Sequence, residues 1–144
     1  MGLVVLLATW PFIADALPWT GRTDLERVRT AAILERPPGA VLVDRDERRT
    51  KENVFMVGRQ GARVQVIWAS ALPPEALLEH YWTLYSGEFG LSRSVLGRLG
   101  GCVDQDCAIV RVGTDPTFRG TQHLDHAPPP GARSFALVAV AAER

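Results

Sequence analysis

Lysine is almost missing from this chain. Of sixteen cationic residues only Lys51 is a lysine, and they are balanced by sixteen Asp and Glu, for a formal net charge of zero. That balance excludes a global basic field for nucleic acid and a global acidic one for cations. The arginine bias is read as coding composition and carries no binding inference. Cysteine is limited to two residues, enough for one bridge but not for a disulfide framework. Enzyme signatures are absent. There is no G-x-S-x-G elbow, H-E-x-x-H pair or G-x-G-x-x-G turn, and Lys51-Glu52 does not continue as a Walker loop. No cofactor is therefore expected. There is no internal repeat, and no low-complexity tract beyond Pro128-Pro129-Pro130.

A long uncharged apolar run is present, from Leu3 to Ile13, followed by Ala14-Asp15-Ala16 and Leu17-Pro18-Trp19. Its length suits the h-region of a secretory signal, Pro11 breaks that helix, and Ala14 and Ala16 suit an Ala-x-Ala cleavage site. The n-region is weak, since only Met1 and Gly2 precede the run; a basic stretch further upstream would complete it. A transmembrane anchor is the rival reading, because Gly2 to Thr20 just reaches the length of about 20 apolar residues that a span needs. Trp10 and Trp19 suit interfaces, whereas Asp15 and the two prolines oppose a span. Arg22, Arg27 and Arg29 would favour a cytoplasmic C-terminal side for such an anchor. An ordinary buried N-terminal segment is the third reading. Export or tethering is favoured, with possible membrane association through residues 1–20 and a cell-envelope location.

At 144 residues the remainder is one domain, large enough to bury roughly two thirds of its unfolded surface without disulfides. The expected organisation is a signal or anchor over 1–20, a linker or short helix over 21–39, and a single α+β domain over 40–144. Within 21–39, Leu25, Val28, Ala32 and Ile33 sit at helical spacing, and Arg36-Pro37-Pro38-Gly39 stops that pattern. Ala40 to Val43 reads as a strand. Asp44 to Glu52 is a dense charge run expected at a solvated hairpin tip or loop. Asp44-x-Asp46 is no calcium loop, because Arg48 and Arg49 stand where a ligand and the glycine should be. Val54 to Val57 and Arg63 to Trp68 read as two hairpin arms. The second arm alternates, which suggests a sheet covered on one face only.

Pro73-Pro74-Glu75 predicts a helix start, and Gly87 and Gly90 its end. Leu77, Leu78, Tyr81, Trp82, Tyr85 and Phe89 form its apolar stripe, with Trp82 expected to meet Trp68 in the core and His80 at the solvated margin. Ala108 to Val112 and Phe135 to Val140 are further strands, the last central or buried on both faces. The expected fold is α+β: a small, mostly antiparallel sheet covered on one face by one main helix, in β-β-β-α-β-β order.

Two features bear on chemistry. Cys102-x4-Cys107 could close a local disulfide across a tight turn, the default after export. With His123 and His126, the same cysteines loosely match a Cys2His2 zinc pattern, although the His pair is one residue too close. Free thiols remain the third option. The long Pro/Gly/Asp/His stretch from Thr114 to Arg133 is of a length that is functional or disordered. It holds the only acid/base candidates, His123, Asp125, His126 and Asp115. Glu75 and Glu79 share a helix face, as exposed carboxylates commonly do. The leading expectation is a non-enzymatic exported or tethered domain that binds a protein partner or small ligand, with no nucleic acid. The alternatives are a small hydrolase or metal-dependent enzyme using the His123–His126 loop, and a zinc-stabilised module. Composition carries no signal for oligomeric state.

Overall fold

The computed structural model describes residues 22–48, 51–52, 59–94 and 97–142. The apolar segment read as a signal or anchor therefore lies outside the described residues, as does the expected hairpin arm at 54–57. No helix among the described residues is long and apolar enough to cross a membrane.

The core is a six-stranded antiparallel sheet in the order β1-β4-β8-β7-β6-β5. Its strands are β1 (Val41–Arg48), β4 (Arg63–Ser70), β5 (Ser92–Ser94), β6 (Arg98–Val103), β7 (Asp106–Gly113) and β8 (Ser134–Ala142). A short ribbon of β2 (Lys51–Glu52) and β3 (Arg59–Gln60) continues the β1–β4 hairpin. The α+β class is thus observed, but the hairpin differs from expectation, since Arg63–Ser70 pairs with Val41–Arg48. The charge run to Arg48 is strand rather than loop. Its polarity suits an edge strand, where charged side chains discourage pairing with another chain. The expected strand order also needs correction, because β5 and β6 lie between the main helix and β7. β5 is fully exposed and β6 buries only Leu99, so neither carries the apolar alternation that marks a strand.

Helix α1 (Arg22–Arg29) forms where 21–39 offered a linker or a short helix. Asp24 in its first turn and Arg27 and Arg29 in its last complement the helix dipole. Its buried Leu25 and Val28 join Ile33 and Leu34, from a 3-10 turn at Ala32–Leu34, in the main apolar cluster. Ion pairs at its end clamp it to the sheet. Arg27 grips Asp106 with two hydrogen bonds of 2.7 and 2.9 Å, and Arg29 grips Glu47 with bonds of 2.8 and 3.2 Å.

Helix α2 (Pro74–Phe89) starts at the expected prolines and ends on Gly90, whose left-handed φ of 56° lets its N–H return to Ser86 O. Leu77, Tyr81, Tyr85 and Phe89 are buried at four-residue intervals, which places them on one face. Trp82 and Leu78 are only half-buried. Trp82 shares a cluster with Trp68, but its outer side carries the Arg93 guanidinium, 4.9 Å from the ring centroid. Tyr85 OH donates to Ala32 O at 3.0 Å and so ties α2 to the 3-10 turn. Both helices occupy one face of the sheet. On it Val64, Val66, Trp68, Leu99, Ala108, Val110, Ala136, Val138 and Val140 make the main cluster.

The opposite face is not left to water, which corrects the one-sided expectation. The stretch from Thr114 to Arg133 has no regular structure, yet its Phe118, Leu124 and Ala132 close over Val43, Ile67, Ala69, Phe135, Leu137 and Ala139. It is held by His126 N–H donating to Val43 O, Arg133 N–H to Ser70 O and Gln122 bonded to the buried Gln65. β8, third in the sheet and covered on both sides, is buried along almost its whole length.

Candidate anion-binding cleft

Where that covering loop leaves β7 it stops short of the outer strands and leaves a cleft of about 270 Å³. Gly97, Arg98, Arg111, Val112, Gly113, Thr114, Asp115, Phe118 and Arg119 line it. Arg98 and Arg111 stand directly opposite each other on β6 and β7, an arrangement of like charges that costs stability by itself. Their neighbours Leu99 and Val110 point into the helix-side cluster, so strand alternation turns both arginines to the loop side. Arg119 arrives from the loop. None of the three is ion-paired among the described residues, whereas Arg27, Arg29, Arg45, Arg48 and Arg93 all are. Burial holds the Arg111 pKa below its ordinary value, and the charges of Arg98 and Arg119 lower it further.

The one carboxylate on the wall does not neutralise them. Asp115 accepts from Thr117 N–H at 2.9 Å, Thr117 Oγ1 at 2.7 Å and Arg119 N–H at 3.0 Å. The Thr117 hydroxyl and these two amides hold its pKa below the usual carboxylate range. The same bonds brace an unusual backbone. Phe118 and Arg119 both have left-handed φ, 48° and 66°, and Gly120 follows at 78°. Non-glycine residues in this region carry strain, and such strain gathers at functional sites. Phe118 is buried beneath the loop, and the Arg111 guanidinium lies over its ring at 5.4 Å. That stacking preorganises the central cation.

No protein-family model, curated protein or solved structure matches the chain.

The other candidate residues do not converge. His123, Asp125 and His126 are all exposed, and no hydrogen bond among the described residues joins one to another. Asp125 lies instead beside the buried Asp44 of β1. Burial raises the Asp44 pKa, and the neighbouring Asp125 raises it further. Asp115 belongs to the cleft wall instead. Cys102 and Cys107 are bonded as a disulfide between directly opposed residues of β6 and β7, flanking the Asp104-Gln105 turn. Both sulfurs are thereby removed as zinc thiolates. No group of three or more His, Cys, Asp or Glu is placed to hold a metal among the described residues. Glu79 is paired with Arg93 at 2.6 Å, and Glu75 is exposed. Sequence reasoning missed the arginines because they come from two strands and a loop. The local signal was Asp115-x-Thr117, a spacing suited to an Asx turn.

Proposed function

We propose that this chain is a non-enzymatic domain of the cell envelope, exported or held at the membrane by residues 1–20, that binds a small anionic ligand. The observation that carries this reading is the cleft with three guanidinium groups and no ion pair to any of them among the described residues. A positive site of this kind is stabilised by an anion, and its partly buried Arg111 strengthens the attraction relative to open water. The Cys102–Cys107 disulfide is compatible with an oxidising compartment outside the cytoplasm. His123, Asp125 and His126 are exposed and no hydrogen bond among the described residues joins one to another, so the cleft rather than this loop carries the reading.

Two measurements test the two halves of the reading. A reporter active only outside the cytoplasm, fused after Arg144, should work; activity only from a cytoplasmic reporter would refute export. Phosphate, sulfate, succinate and citrate, each compared with chloride at equal ionic strength, test binding. A ligand at about one hundred times its Kd stabilises by about 2.7 kcal/mol, which is about 5–10 °C in Tm for a chain of this size. At least one of these anions should give such a rise, and Arg111→Gln should abolish it. A melt indifferent to all four would refute the cleft as a binding site.

A further inference from the structure

Resting on the cleft as the binding site, we propose that the group it recognises is a terminal phosphate monoester in its dianionic form. The charge of the wall matches such a group. Arg98, Arg111, Arg119 and the ionised Asp115 are the charged residues on the wall and together carry a net +2, the complement of one phosphate monoester dianion. Its shape matches too. The three arginines come from β6, β7 and the loop and line one compact space of about 270 Å³. A terminal phosphate has three terminal oxygens around one centre, so each can face a separate cation. A dicarboxylate instead presents two separated planar groups. Charge-assisted hydrogen bonds from guanidinium to phosphate are among the stronger ones available to a protein.

The wall is also preorganised. Arg111 is fixed over Phe118, and Arg119 sits on the strained turn that Asp115 braces through the Arg119 amide. The Arg111 cation and the backbone that carries Arg119 are thus placed before a ligand arrives, which removes part of the ordering cost of binding. Thr114, Gly97 and Gly113 border the same space without adding charge.

The test is calorimetric titration of the disulfide-intact full chain with inorganic phosphate, glycerol phosphate, sulfate and succinate. Both phosphates should bind saturably, one per chain. Affinity for glycerol phosphate, a monoester, should rise about tenfold between about pH 5 and about pH 7.5, following the dianion fraction for a second pKa near 6. Sulfate, a dianion throughout, controls for titration of the protein and should show no such rise. Arg111→Gln should weaken phosphate binding about tenfold or more. Arg98→Gln and Arg119→Gln, at exposed positions, should do likewise and keep the test valid should Arg111→Gln fold poorly. Vesicles containing phosphatidic acid separate the two sources of such a group: co-sedimentation lost in Arg98→Gln assigns a lipid-borne phosphate, and none assigns a soluble one. A phosphate affinity that is flat with pH would overturn the dianion. Succinate binding without phosphate binding would overturn the phosphate class while leaving the cleft as a site. Binding of none of the four would overturn both.

Discussion

Two neighbouring glycines on β6 should respond in opposite ways to the same methyl group. Gly101 faces the helix side of the sheet, under the end of α2. A Cβ there would press on Phe89 O and lie 2.7 Å from Gly90 O and 2.9 Å from Gly90 C. Those atoms are backbone, so no rotamer change relieves the contact; the helix end or the strand has to move. Overpacking of this kind costs about 1–3 kcal/mol, and the upper part of that range applies where both partners are main chain. Gly100 faces the other way, and its Cβ would meet nothing nearer than Ala108 O at 3.9 Å. There the loss of unfolded-state freedom makes Gly→Ala stabilising by about 0.4–1 kcal/mol. Gly101→Ala and Gly100→Ala should therefore differ by about 2–4 kcal/mol. Urea unfolding of both variants and the wild type, with the disulfide intact and m-values compared, measures this directly. Coincident midpoints for the two variants would refute the seating of α2 on β6.

The Asp44–Asp125 pair gives a signed pH effect. Because the Asp44 pKa is raised in the fold, its contribution is fully present at low pH and is lost as pH rises through the native value. Asp44→Asn should thus remove part of the stability decline that sets in as pH rises above the ordinary carboxylate value of about 4, and identical profiles would contradict the pairing. Reduction of Cys102–Cys107, which closes a very short loop, should cost about 2 kcal/mol without unfolding the chain. A chelator and His123→Ala should leave the melting curve unmoved, whereas a structural zinc site would collapse under either. Tyr81 is fully buried and its hydroxyl has no hydrogen-bond partner among the described residues. Tyr81→Phe should therefore be neutral or stabilising by up to about 1–3 kcal/mol, and a clear loss in equilibrium unfolding would reveal a bond to that hydroxyl.

What could be read from the chain depended on whether the signal was local. Pro73-Pro74 and Gly90 bracket α2 because each acts through its own backbone. The run Phe135 to Val140 announces a central strand because both of its faces meet apolar partners. The disulfide was legible from spacing, since the four residues between Cys102 and Cys107 include the turn that opposes them. Only the first part of β1 is legible in the sequence, because its partner supplies the hydrogen bonds while its own side chains, Arg45 to Arg48, remain exposed. β6 was hidden by Gly100 and Gly101, whose value lies in the close approach of α2. The second covered face was missed because Phe118 and Leu124 are isolated apolar residues in a polar stretch, without a period to betray them. The cleft failed for the same reason. Arg98, Arg111 and Arg119 each look like ordinary surface charge until the strand register puts the first two side by side.

The most direct test of the cleft is to observe its arginines individually. In 15N-labelled protein, the Nε–Hε signals of Arg98, Arg111 and Arg119 can be assigned from the three Gln variants and followed as inorganic phosphate is added at constant ionic strength. Saturable shifts with one common affinity are expected at these three. Arg27, Arg29 and Arg93, already engaged by carboxylates, should stay still and serve as internal references. Equal small shifts at all six, or none at Arg111, would contradict an anion site in this fold.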